Sequence, residues 1–275
     1  MERQRRVYPA RDMKWYSCVL LIAAALLLGV SGILSKADED GFSLQISPQS
    51  SSIPLNERFD DTYATLEFEL PSYQWFALQL GVFDNREGAE EFSHEYQKRG
   101  AAGYLWYENN FRVLAAAFPL REDAQLVREQ LKKQHAVDSH LFSIDFPAVT
   151  LRVTGMRGQL DILQAAFIHA HDLAFSLQDM SVSIDRSELS PSDVWSRIST
   201  LNEQIEIVVL RLRQRYAGQI PAVVEELLCL FESYLEYGKQ LSADGSIVAI
   251  GAQLKYQTLS TLNGLYNVYL ILNNT

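Results

Sequence analysis

The middle of the chain contains an internal repeat, and this repeat restricts the folds that the region can adopt. Residues 76–92 align with residues 111–127 at an offset of 35 residues. The identical pairs are Phe76/Phe111, Phe83/Phe118, Arg86/Arg121, Glu87/Glu122, Ala89/Ala124 and, just beyond, Lys98/Lys133. Each half therefore predicts the same local structure, which is a strand, a turn, an amphipathic helix and a second strand.

The apolar residues of each half alternate first with a period of two and then with helical spacing. Phe76, Leu78 and Leu80 alternate along the first strand. Asn85 follows the strand at a position where it can cap the next helix. The order βαββαβ predicts an α+β domain over residues 73–147, with a four-stranded antiparallel sheet and two helices on one face.

Three short motifs lie within this repeat. Residues 79–83 read Gln-Leu-Gly-Val-Phe, residues 85–89 read Asn-Arg-Glu-Gly-Ala, and residues 111–113 read Phe-Arg-Val. In this order and spacing they resemble the SPOR domain, the sporulation-related repeat of bacterial envelope proteins. The resemblance implies binding to peptidoglycan, with a preference for glycan strands that have lost their stem peptides.

The resemblance also implies which side chains contact the glycan, because the family's site lies on the open sheet face. Gln79 matches the first-strand glutamine of the family, and Arg112 matches the arginine of the third strand. Amide and guanidinium groups suit sugar hydroxyl and acetamido groups. A cross-strand ion pair with Glu108 is the alternative role for Arg112. Aromatic candidates for the apolar sugar faces are Trp75, Tyr104, Trp106 and Phe111, and the strand pleat decides which of them face outward. The alternative for Trp106 is to cover the sheet edge or to pack against the C-terminal region.

Two positions depart from the family pattern and leave a second function open. Val82 lies where members that bind glycan often carry a small polar residue. Asn110 lies where some members carry an aromatic residue. The alternative is a structural or assembly adaptor, whose SPOR-like domain no longer binds glycan and whose C-terminal region binds protein partners.

An uncharged segment near the N-terminus predicts membrane attachment. Residues 15–35 contain no charged side chain, and a helix of that length matches a hydrocarbon core of about 30 Å. Residues 1–14 carry five basic and two acidic side chains. The positive-inside rule therefore predicts a single-pass protein with a cytoplasmic N-terminal arm and extracytoplasmic domains. A cleaved signal peptide is the alternative, although its apolar region would be unusually long.

The regions on either side of the repeat differ from each other in composition. Residues 36–72 are polar and contain many Ser, Pro and acidic residues, which is typical of a linker. Apolar residues alternate in part over residues 62–70, so an additional strand within this linker is an open alternative. Residues 150–275 contain four segments with helical spacing and predict a four-helix module, either an up-down bundle or two hairpins. Uncovered seams of this module would serve self-association or partner docking.

The composition and the motifs argue against several functions. Asp and Glu total 34 against 24 Lys and Arg, and this acidity argues against nucleic-acid binding. His169 and His171 are separated by one residue, so they point to different sides of a helix and make a poor metal pair. We therefore predict a non-enzymatic protein without cofactor or metal, which binds wall glycan in division, sporulation or envelope maintenance.

Overall fold

The computed structural model describes residues 62–238 and 245–273. The predicted cytoplasmic arm and membrane helix, residues 1–35, lie outside these residues, as does most of the predicted linker. Among the residues that are described, no helix combines the length and the apolar character that a membrane span requires.

The described part of the chain contains six strands and six helices. In chain order they are β1 (Tyr63–Leu70), β2 (Tyr73–Phe83), α1 (Arg86–Gln97), β3 (Tyr104–Tyr107), β4 (Phe111–Phe118), α2 (Arg121–His135), β5 (His140–Phe146), β6 (Val149–Met156), α3 (Arg157–Asp185), α4 (Pro191–Arg215), α5 (Ala222–Gly238) and α6 (Ile247–Asn273).

Strands β2 to β5 form the predicted antiparallel sheet, with the order β3-β4-β2-β5. Helices α1 and α2 both contact β2 and β4 on one face of this sheet. Phe76, Leu78 and Phe118 form the core on that side together with Ala124 of α2. Asn85 caps α1 as predicted, because its side-chain oxygen accepts a hydrogen bond from the Gly88 amide at 2.8 Å.

Strands β1 and β6 form a separate two-stranded antiparallel ribbon. The sequence allowed β1 as an additional strand. It did not predict β6, because residues 150–156 were assigned to the helical module. That module begins instead at Arg157. The two strands lie before and after the repeat, so no local pattern reveals that they pair. The ribbon rests on α3, where the rings of Phe68 and Phe167 lie 5.8 Å apart.

The last four helices form a bundle, as the sequence predicts. Each helix contacts the next one along the chain, and α6 returns to contact α3, which closes the ring. Ser190 and Asp193 cap the start of α4 reciprocally, and Pro191 occupies the first helical position. The short connections and the closed ring correspond to the up-down alternative rather than to two separate hairpins.

The bundle covers the sheet face opposite α1 and α2. Helix α6 contacts β3, β4 and β5. Trp75 and Trp106 are 0 % and 1 % exposed, and they belong to the same apolar core as Phe167 and Tyr269 of the bundle. The sheet face that the family resemblance presents as open is therefore closed by the chain's own C-terminal helices.

Candidate functional site

Gln79 and Arg112 meet at one corner of the covered sheet face. An irregularity in the pairing of β2 with β4 brings them together, and Arg112 Nη1 donates a hydrogen bond to Gln79 Oε1 at 2.7 Å. Arg112 Nε lies 3.5 Å from Glu108 Oε2, so the alternative ion pair is also present. The guanidinium carbon lies 4.8 Å from the ring centre of Phe142. These three neighbours together hold the guanidinium in one orientation.

Part of this corner stays in contact with solvent. The side chains of Arg112 and Glu108 are 29 % and 36 % exposed, and Gln79 is half-buried. A guanidinium carries five N–H donors, and its contacts with Gln79 and Glu108 use two of them at most. The corner can therefore offer several donors to hydroxyl or carbonyl oxygens of a ligand.

Tyr104 and Trp106, two of the predicted aromatic contacts, are buried under α6. Trp106 packs edge-on against Tyr266 with ring centres 5.5 Å apart, and Tyr104 packs in the same manner against Tyr256 at 5.1 Å. Trp75 on β2 is also fully buried. Strand alternation predicts that Trp75 shares a face with Gln79, and the structure adds Tyr104 and Trp106 to the same covered side. Alternation contains no information on what covers that face. Their contact with glycan stays a prediction, and it would require the bundle to move away.

Phe111 lies on the other sheet face from Arg112, because neighbouring residues of a strand point in opposite directions. Its ring packs against Tyr107 at 4.8 Å, and Phe111 pairs across the sheet with Phe83. Its role in glycan binding also stays a prediction. Sequence reasoning missed Phe142, which lies beneath the Arg112 guanidinium. The alternation of apolar residues along β5 is the signal that could have placed Phe142 on this face.

A buried ion pair connects the bundle to the turn after α1. Lys255 Nζ lies 2.6 Å from Asp185 Oδ2, and the two side chains are 10 % and 8 % exposed. Lys255 also donates a hydrogen bond to the Gly100 carbonyl at 3.1 Å. Burial raises the pKa of Asp185, and the attraction of Lys255 opposes that increase. Lys255 thus joins α6, α3 and the SPOR-like region at one point.

His171 of α3 lies at the junction between the sheet and the bundle. Its Nε2 atom lies 3.5 Å from the Tyr73 hydroxyl of β2 and 3.4 Å from the Tyr269 hydroxyl of α6. Burial lowers the pKa of His171 to about 4. Burial also raises the pKa of Tyr73, so both groups are neutral at pH 7. A proton added to His171 would place a charge within this apolar junction.

We expect acid to destabilise the protein through His171. The pKa of this group is about 4 in the folded state against 6.5 ordinarily, so the unfolded chain binds the proton more readily. Stability from this group is complete above pH 6.5 and is lost as the pH falls towards 4, by up to about 3 kcal/mol. Denaturant unfolding at about pH 7 and about pH 4.5 measures the loss. His171→Phe, which cannot titrate, should show a smaller loss, and an equal loss in both proteins would contradict the prediction.

Comparison with known families identifies the repeat region. Residues 73–141 match the family model of the SPOR domain. No curated protein and no solved structure matches the chain. The match ends within β5. The β1–β6 ribbon and the four-helix bundle lie outside the matched range. The match agrees with the motif order, the repeat and the observed sheet, and these findings together show that residues 73–141 are a SPOR domain, a family of binding domains that is known to bind peptidoglycan.

Proposed function

We propose that this chain is a non-enzymatic, membrane-anchored protein that binds wall glycan at the Gln79–Arg112 corner of its SPOR domain. The family match supports peptidoglycan as the ligand. The observation that carries the proposal is the 2.7 Å hydrogen bond that orients Arg112 beside Gln79 where solvent still reaches both side chains. Residues 15–35 serve as the anchor in this proposal, and the process is division, sporulation or envelope maintenance.

The closed sheet face limits how a glycan strand binds. Helix α6 lies over β3, β4 and β5, so a strand cannot extend along the whole face. Binding then depends on the few donors and acceptors at the corner, and we expect it to be weak for the isolated domain. Anchoring at the membrane compensates, because it raises the effective concentration of the domain near the wall.

The double variant Gln79→Ala/Arg112→Ala tests the proposal directly. It removes both the amide and the guanidinium, and we expect retention on amidase-stripped sacculi to fall by about tenfold, which corresponds to roughly 1.4 kcal/mol. Quantitative pulldown with stripped and intact sacculi measures retention. The matched control is Gln74→Ala/Arg86→Ala, which removes an exposed glutamine of β2 and an arginine paired with Glu90. Equal retention of the two double variants would refute the site.

The burial of Trp75 and Trp106 favours a second candidate function, the adaptor. A sheet whose face is filled by the chain's own bundle can serve as a support for that bundle. Helix α4 exposes Trp195, Ile207 and Leu210, which are 44 %, 50 % and 51 % accessible and offer apolar surface to a partner. An absence of sacculus binding, together with a partner whose binding is lost on Trp195→Ala, would support the adaptor.

A further inference from the structure

A polar cavity lies between α5, α6 and the start of β3, away from the Gln79–Arg112 corner. It has a volume of about 250 Å³, far more than the roughly 10–15 Å³ that a single water needs. Three tyrosines, three amide side chains and three Ser or Thr side chains account for most of its lining. Within the described chain, none of the lining residues is Lys, Arg or His. The cavity therefore combines aromatic surface with many neutral donors and acceptors.

Two buried side chains that line this cavity lack hydrogen-bond partners in the described part of the chain. Gln257 is 2 % exposed, and neither its amide oxygen nor its amide nitrogen is paired. The Tyr234 hydroxyl is also unpaired, and that residue is 3 % exposed. An unpaired buried polar group costs about 1–3 kcal/mol. Three such atoms beside one cavity favour a polar ligand, which reaches them when the cavity wall shifts, because each atom is enclosed by its neighbours.

The lining selects the chemistry of the ligand. Without a basic side chain the cavity does not attract a phosphate or a carboxylate, and Glu226 repels both. Glu226 already accepts a hydrogen bond from Asn267 Nδ2 at 3.0 Å, which fixes its position in the wall. The Gln257 amide can donate one hydrogen bond and accept another, so it suits a ligand that carries both donors and acceptors. Tyrosine rings provide apolar surface for the C–H faces of such a ligand.

We propose that this cavity is a second binding site, and that its ligand is a neutral sugar. A sugar ring carries hydroxyl groups that donate and accept, and its apolar faces pack on aromatic rings. An acetamido substituent would pair with the Gln257 amide in both directions. The site lies in the bundle, with only Tyr104 contributed by the SPOR domain. It therefore does not depend on the Gln79–Arg112 corner.

Cys229 provides a direct measurement, because it lines the cavity and is exposed. The full chain in detergent is alkylated with iodoacetamide, and mass spectrometry of the Cys229 peptide follows the rate. N-acetylglucosamine at up to about 10 mM, enough for a millimolar dissociation constant, should slow alkylation severalfold. N-acetylmuramic acid carries a carboxylate and should slow it much less. No slowing by N-acetylglucosamine, or equal slowing by both sugars, overturns the proposal.

Two variants separate this site from the SPOR corner. Gln257→Leu should abolish the protection of Cys229, while its melting temperature stays unchanged or rises because unpaired polar atoms are removed. Gln79→Ala/Arg112→Ala should keep the protection in full, even if it no longer binds sacculi. Protection that survives Gln257→Leu overturns the proposal. A clear drop in the melting temperature of Gln257→Leu also overturns it, because the amide then has a structural role.

Discussion

Replacing Asp185 with alanine is expected to lower the free energy of unfolding by about 3–5 kcal/mol, because it leaves the Lys255 ammonium buried without its counter-charge. The two groups lie 2.6 Å apart and are almost fully enclosed. Lys255 keeps its hydrogen bond to the Gly100 carbonyl, but a carbonyl does not neutralise a charge. Denaturant unfolding of the purified protein measures the difference.

Two controls test whether burial of the charge is the cause. The double variant Asp185→Leu/Lys255→Met removes both charges and should be close to the original stability or above it. Glu129→Ala breaks the exposed pair with Lys133, whose atoms lie 3.6 Å apart, and should change stability by less than about 1 kcal/mol. If Asp185→Ala costs no more than Glu129→Ala, the ion pair is not buried in solution.

Trp106→Ala is expected to lower the free energy of unfolding by about 3–5 kcal/mol, because it opens a cavity between the sheet and the bundle. The indole is 1 % exposed and packs against Phe142 and Tyr266 with ring centres 5.9 and 5.5 Å away. An exposed tryptophan on an open glycan-binding face would behave differently. Its removal would weaken sacculus binding and leave stability almost unchanged.

The neighbouring residue Tyr107 is the matched control for Trp106. It lies on the same short strand, points to the opposite face and is 63 % exposed. Tyr107→Ala should therefore change the free energy of unfolding by roughly 0.5 kcal/mol or less. Equal and small losses for Trp106→Ala and Tyr107→Ala would contradict the closed arrangement of sheet and bundle.

Local patterns were sufficient for most of the individual elements. The alternation of Phe76, Leu78 and Leu80 predicts β2, and Asn85 predicts the start of α1. These signals work because side-chain direction and capping depend on residues only a few positions apart. The pairing of β1 with β6 escaped prediction, because it joins segments on either side of a whole domain.

The candidate site was predicted in part. The family motifs pointed to Gln79 and Arg112, and the structure brings them within hydrogen-bonding distance. Tyr104 and Trp106 were aromatic candidates without a predicted face, and the structure places them beneath α6. The strand pattern does not distinguish an aromatic side chain that binds a ligand from one that packs against a helix far away in the sequence.

The sequence by itself determined the SPOR repeat, the βαββαβ order and the four helices, since each follows from periodicity, caps and turn residues that act over short distances. The tertiary structure alone decided that the bundle closes the sheet face and that Lys255 of α6 reaches Asp185 and Gly100. It also decided that Gln257 lines a polar cavity without a partner in the described residues. These features depend on which apolar surfaces bury each other, and that choice is made between segments far apart in the chain.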